Sequence, residues 1–238
     1  MDSSTASSGQ KALLASLGQE YVCTRALDLY KTDELQGLVT QAAVGRHLRL
    51  AEKSSQAHAV ILCEDDYPGW ISAADGDALK PAEQLYQPVS LDRSAIEPRL
   101  PGAIAFTQQA MAVPNTYLWG GTVGPNYDCS GLMQAAFASV GIRLPRDSYQ
   151  QEAFTQPIGW DELLPGDLIF FGTPERTKHV ALYLGEGNYI HSSGVDQGRN
   201  GIGIDSLTDL SHPVSAAYHQ QLRRAGRVMT SYCSGDTL

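Results

Sequence analysis

The chain has 238 residues, 42% of them hydrophobic, and 26 acidic side chains against 17 lysines and arginines give it a net charge of −9. The apolar content is enough to bury two real cores. The acidic balance, with no basic run and no interleaving of aromatic with basic residues, excludes nucleic acid and anionic membrane surfaces as expected partners.

Residues 1–18 are Ser-rich and read as a mobile tail, with at most a helical turn over 11–17. They lack the basic start and apolar run of a secretory leader, and no later stretch is apolar for long enough to span a bilayer. Four scattered cysteines, Cys23, Cys63, Cys129 and Cys233, do not make a disulfide framework. These features predict a cytoplasmic protein. Over residues 19–89 short strands follow one another, at 20–24, 26–30, 38–42, 47–50, 59–63 and 70–72, and such close spacing predicts a small β-barrel. Glu64, Asp65 and Asp66 form a loop charge run whose default is a solvated surface. Pro98 and Pro101, following Pro81 and Pro88, mark residues 90–101 as an interdomain linker, and residues 102–238 as a second domain.

That domain opens with a helix that carries Ala103, Phe106, Ala110 and Val113 on one face and ends at Pro114. An aromatic, glycine-rich loop, YLWGGTVGPNYDCS at 117–130, leads into a second helix. There Leu132, Met133, Ala136, Phe137 and Val140 recur at three- and four-residue spacing, and Gly141 is the stop. Cys129 falls in the first turn, where unpaired N–H groups and the positive end of the helix dipole favour thiolate over thiol. Cys23 and Cys63 read as strand core positions and Cys233 lies in a polar tail. The bland alternative for Cys129 is that of most cysteines, a small buried hydrophobe.

A turn at 164–167 leads into a strand at 168–171. Two further strands, 179–184 and 188–191, flank Gly185-Glu186-Gly187. A three-residue loop with Gly187 left-handed sets Leu184 opposite Asn188 and Ala181 opposite His191. Val180, Leu182, Leu184 and Ile190 then share the buried face, while His179, Ala181, Tyr183, Tyr189 and His191 share the other, with the two histidines diagonal neighbours. Two histidines with Cys129 and Asp128 also suit a zinc site, but no Cys-x-x-Cys or His-Glu-x-x-His spacing is present, so neither metal nor cofactor is expected. His47, His58, His212 and His219 read as structural or exposed.

The segments YLWGG, DCSG, RDSYQ, LPGDLIFF, HVALYLG and YIHSSG, in this order, resemble the NlpC-type cell-wall cysteine peptidases over residues 102–228. The strand-rich region before them is similar to the bacterial SH3-like module of the γ-D-glutamyl-L-diamino acid endopeptidase branch. The resemblance implies an α+β chain: an SH3-like β-barrel, then a papain-like domain whose cysteine-bearing helix packs on an antiparallel sheet. It implies that Cys129 is the nucleophile, His179 the general base and His191 its orienter, with the Cys129 N–H as one oxyanion donor. It assigns substrate contacts to Tyr117, Trp119, Asp128, Ser130, Arg146 and Ser148, and to Tyr67 of the SH3-like module, which in this branch closes one end of the cleft. Asp128 is also a natural helix N-cap.

The expected reaction is hydrolysis of the γ-D-Glu to meso-diaminopimelate bond in peptidoglycan stem peptides with a free N-terminal L-Ala, in murein recycling. Three other readings stay open: an exported hydrolase of intact wall, a wall-binding module with a silent thiol, and acyl transfer to an amine. The oligomeric state is not legible in the sequence.

Overall fold

The structure, a computed structural model, describes residues 19–235, so the tail expected over 1–18 lies outside the described residues. The chain divides into two compact units between Gln87 and Pro88.

The first unit is a seven-stranded antiparallel sheet. Its strands are β1 (Glu20–Cys23), β2 (Leu27–Tyr30), β3 (Leu38–Ala42), β4 (His47–Lys53), β5 (Ala57–Leu62), β6 (Pro68–Ser72) and β7 (Leu79–Pro81), in the order β3-β2-β6-β5-β4-β1-β7. Alternation places Leu27 and Leu29, Leu48 and Leu50, Val60 and Leu62 in one core with Cys23, Ala42 and Ile71, the SH3-like arrangement expected. β7 is not visible in the sequence pattern. It is three residues long and ends in Pro81, which lacks an N–H, and it takes the end position in the sheet, where a missing donor is tolerated.

The acidic run at 64–66 departs from the solvated reading. Glu64 and Asp65 are buried and hold Arg46, whose Nε lies 3.0 Å from Glu64 and whose Nη2 lies 2.9 Å from Asp65. Glu64 also accepts the His47 N–H at 2.9 Å. Paired charges can be buried where a solvated run would face water. Tyr67 is half-buried against this unit's core.

The second unit carries helices α1 (Arg93–Ile96), α2 (Leu100–Ala112), α3 (Cys129–Ser139), α4 (Ser148–Phe154) and α5 (Pro213–His219). Its strands are β8 (Gln156–Ile158), β9 (Leu168–Gly172), β10 (Thr177–Gly185), β11 (Asn188–Ser193), β12 (Gly201–Ser206) and β13 (Leu222–Arg227). They form one antiparallel sheet in the order β12-β11-β10-β9-β13-β8. On one face Leu132, Met133 and Phe137 of α3 pack on Leu168, Phe170, Val180, Leu182 and Ile190. On the other, Val214 and Tyr218 of α5 pack on Ile169, Phe171, Ala181 and Tyr189. The sheet is thus buried on both faces, not only on the one the Val180-Leu182 alternation marks.

Residues 90–101 are not a plain linker. Asp92 caps α1 by accepting the Ala95 N–H at 3.0 Å, a 3₁₀ turn at Glu97–Arg99 joins it to α2, and Ile96 and Leu100 are buried in the core of this unit. Pro98 and Pro101 sit at helix starts, where no N–H is needed. The segment is sewn to the far end of the same unit: Asp92 bridges Thr230, Ser231 N–H donates to Leu91 O at 3.0 Å, and Arg93 Nη1 donates to Val228 O at 3.1 Å. α2 ends one residue early, at Ala112, and Val113 is 50% exposed.

Candidate active site

Cys129 opens α3 under an N-cap built from Asp128. One carboxylate oxygen accepts the Gly131 N–H at 2.6 Å, and the other accepts the Gly120 N–H at 2.9 Å, so the same side chain fixes the helix start and the glycine-rich loop. That loop lies flat on the helix. A Cβ on Gly131 would run into the Gly121 carbonyl oxygen and the Thr122 methyl, so only glycine permits the approach. Gly131→Ala is therefore expected to lower stability by about 1–3 kcal/mol and to displace the nucleophile. A chemical-unfolding midpoint equal to that of the wild type would count against this contact.

The loop is also tied to the sheet. Ser192 Oγ donates to Tyr127 O at 2.6 Å, and Asn115 Oδ1 accepts the Ile202 N–H at 2.7 Å. Cys129 is 7% exposed and packs in the same core as Val180, the residue after His179. Burial, and then the Asp128 charge, push the thiol up to about 12 against the N–H groups of Val180 and Ser130 and the charge of Arg146. Burial thus outweighs the helix start, and the thiol carries its proton until a partner takes it.

The partner lies on β10. The β9–β10 ladder is irregular between Thr177 and His179, and His179 emerges from it packed against the Tyr218 ring, with centroids 4.5 Å apart. Its Nε2 is 2.7 Å from His191 Nδ1 on β11. The hairpin pairs Leu182 with Ile190 and Tyr183 with Tyr189, as parity required. At the tip Gly185, not Leu184, faces Asn188, because Gly185 and Glu186 both take positive φ and absorb one residue as a bulge.

His191 is fully buried, and its Nε2 lies 2.7 Å from Asp205 Oδ2 on β12. Sequence reasoning missed Asp205. The partners fix the protons along this chain. Burial opposes ionisation of Asp205, but His191 and Arg199 outweigh it and hold the carboxyl below its ordinary range. The carboxylate can only accept, so His191 carries its hydrogen on Nε2 and accepts at Nδ1. His179 then carries its hydrogen on Nε2, which leaves Nδ1 as the basic atom. Burial first, and His191 second, hold His179 well below its ordinary range, so it is neutral and able to receive a proton.

Arg146, expected at the substrate, is instead buried at 2% exposure with its guanidinium turned onto Asp128, at 3.2 and 2.5 Å, and onto Ser130 Oγ at 2.9 Å. A buried carboxylate at the nucleophile needs that partner. Ser148 is the first residue of α4 and nearly buried. Tyr117 is half-buried, its phenol raised chiefly by burial and next by the neighbouring Cys129. Trp119 is 72% exposed on the loop. Among the described residues no group of three or more His, Cys, Asp or Glu side chains is arranged to hold a metal ion. Nor is any described helix long and apolar enough to cross a membrane.

A thiol at a helix start, packed on the antiparallel sheet whose strands carry an imidazole oriented by a second imidazole and a carboxylate, places the second unit in the class of papain-like cysteine-peptidase domains. Residues 114–224 match the NlpC/P60 family and residues 29–75 match the bacterial dipeptidyl-peptidase Sh3 domain. The chain therefore carries an NlpC/P60 domain preceded by a bacterial SH3 domain. It is 43% identical over 79 residues to a gamma-D-glutamyl-L-lysine dipeptidyl-peptidase of Bacillus cereus, over 32% of this chain and 24% of that protein. A protein of the same description from Bacillus subtilis is 38% identical over 95 residues, covering 39% of this chain and 30% of that protein. The matches thus span less than a third of these relatives. Among solved structures, an NlpC/P60 family protein from Bacillus cereus aligns with 92% of this chain and 66% of its own, at 22% identity and a TM-score of 0.48.

Proposed function

We propose that the chain is a cysteine endopeptidase that hydrolyses the bond between γ-D-Glu and meso-diaminopimelate in peptidoglycan stem peptides with a free N-terminal L-Ala. The observation that carries this reading is the hydrogen-bonded His179–His191–Asp205 chain on the sheet against which the Cys129 end of α3 is packed. The thiol proton passes to His179 Nδ1 as sulfur attacks the γ-carbonyl carbon, and the resulting oxyanion is held in part by the Cys129 N–H. Collapse of the tetrahedral adduct breaks the C–N bond. His179 returns its proton to the departing amine, and a thioester remains. Water then gives a proton to His179 and its hydroxyl to the acyl carbon, and the thiolate leaves and is reprotonated.

Relatives described as gamma-D-glutamyl-L-lysine dipeptidyl-peptidases support the γ-D-glutamyl specificity. A free L-Ala amine exists only after the stem peptide has been cut from its glycan, so a requirement for it suits fragment recycling, and the cytoplasm is the compartment we propose for that role. The test is hydrolysis of L-Ala-γ-D-Glu-meso-diaminopimelate beside its N-acetylated form and intact sacculi, with products identified by mass spectrometry. Release of free diaminopimelate from the unblocked peptide alone is the expected result. Equal cleavage of the blocked peptide, or release of fragments from sacculi, would overturn the recycling role. Recovery of the native protein in the envelope fraction would overturn its placement in the cytoplasm.

A further inference from the structure

Asp205 has a second strong partner. Arg199 Nη2 lies 2.7 Å from Oδ2, the same oxygen that meets His191, while Ser215 Oγ donates to Oδ1 at 3.1 Å. Arg199 reaches this place because Gly203, the residue paired with His191 across β11 and β12, has no side chain. A Cβ there would occupy the space of the guanidinium. We infer that Arg199, seated in the notch left by Gly203, is a positioning residue that offsets the Asp205 charge and so keeps His191 neutral and able to accept from His179. The inference rests on the thiol chemistry proposed above.

His191 has to meet two demands at once. Its Nε2–H donates to Asp205, and its Nδ1 must stay bare to accept from His179. A second proton on His191 would turn both nitrogens into donors. Nδ1–H would then point at His179 Nε2 and force the His179 proton onto Nδ1, the atom that must receive the thiol proton. A buried carboxylate 2.7 Å away invites that second proton, because an opposite charge at contact favours the charged imidazole. Burial opposes it, and Arg199 opposes it again by cancelling the carboxylate.

The other groups around His191 do not take over this task. His179 of β10 and Tyr189 of its own strand meet its ring, and Tyr218 of α5 lies 4.8 Å from it. His212 approaches Asp205 Oδ1 at 3.5 Å but is 60% exposed. Arg199 is the one guanidinium hydrogen-bonded to Asp205 among the described residues.

The test is a pair of pH titrations of the wild type, Arg199→Gln and Arg199→Lys. Imidazole ¹⁵N–¹H spectra give the tautomer and titration midpoint of His191, and kcat/KM gives the acidic limb of activity. Arg199→Gln should raise the His191 midpoint by about one pH unit, move the acidic limb upward with it, and be largely rescued by lysine. Gly203→Ala, which fills the notch, should shift the midpoint in the same direction and serves if Arg199→Gln does not fold. A His191 midpoint and tautomer that neither Arg199→Gln nor Gly203→Ala changes would overturn the inference. The spectra need no substrate, so a wild type that cleaves no stem peptide would sink the proposed function and leave this question decided separately.

Discussion

Cys129→Ala is expected to bring release of diaminopimelate to the uncatalysed background, and His179→Ala to lower kcat/KM by about 10²–10⁴-fold, with both variants still folded. The two effects have one origin. Burial holds the thiol up at about 12 and the imidazole well below its ordinary range, so neither ionises alone. Proton transfer between them is the route to a nucleophile, and either truncation closes it. The same arrangement gives a signed pH dependence. Activity falls as pH drops through the titration of the coupled His179–His191 pair, because a proton on either ring blocks transfer of the thiol proton to His179 Nδ1, and both rings are held below the range of an exposed histidine. The check is a pH series of kcat/KM for the wild type, with circular dichroism of the variants. An acidic limb near or above the ordinary histidine value would contradict a buried, neutral base. Turnover by Cys129→Ala would contradict the nucleophile.

Arg146→Ala should be the most destabilising single change near the site, by about 3–5 kcal/mol. It strands Asp128, which is buried and whose two oxygens cap α3, hold Gly120 and meet the guanidinium. Removing one member of a buried pair costs the desolvation of the survivor, whereas Asp128→Asn combined with Arg146→Met removes both charges and should recover part of the loss. Calorimetry of the full chain would show this as a lowered transition for one unit, by roughly 6–20 °C. A transition unmoved in Arg146→Ala would mean that the pair does not hold the loop on the helix, and Arg146 would return as a group facing the substrate.

The parts of the site that sequence reveals are those set by short-range periodicity. The helix over 129–139 follows from Leu132, Met133, Ala136 and Phe137, and the pairing of Leu182 with Ile190 follows from strict alternation around Gly187. Asp205 was out of reach for a physical reason. It lies 14 residues beyond His191, across a 3₁₀ turn at Val195–Gln197, and nothing in GIGID marks which edge of the sheet it joins. The inward turn of Arg146 was hidden likewise, since a lone arginine near a carboxylate reads equally as a ligand group or an internal brace. The tightness of the interior decides between them. Local spacing also misled over 90–101, where prolines that signal a linker instead start helices whose Ile96 and Leu100 enter the core.

The sewing of residues 91–93 to 228–231 brings the entry and exit of the second unit to one corner of it. A unit whose two ends leave from the same place can be inserted into a longer polypeptide, or moved to a new neighbour, without stretching its own backbone. Such geometry makes the catalytic half a cassette. Its fold, with whatever chemistry it carries, would travel intact from one setting to another.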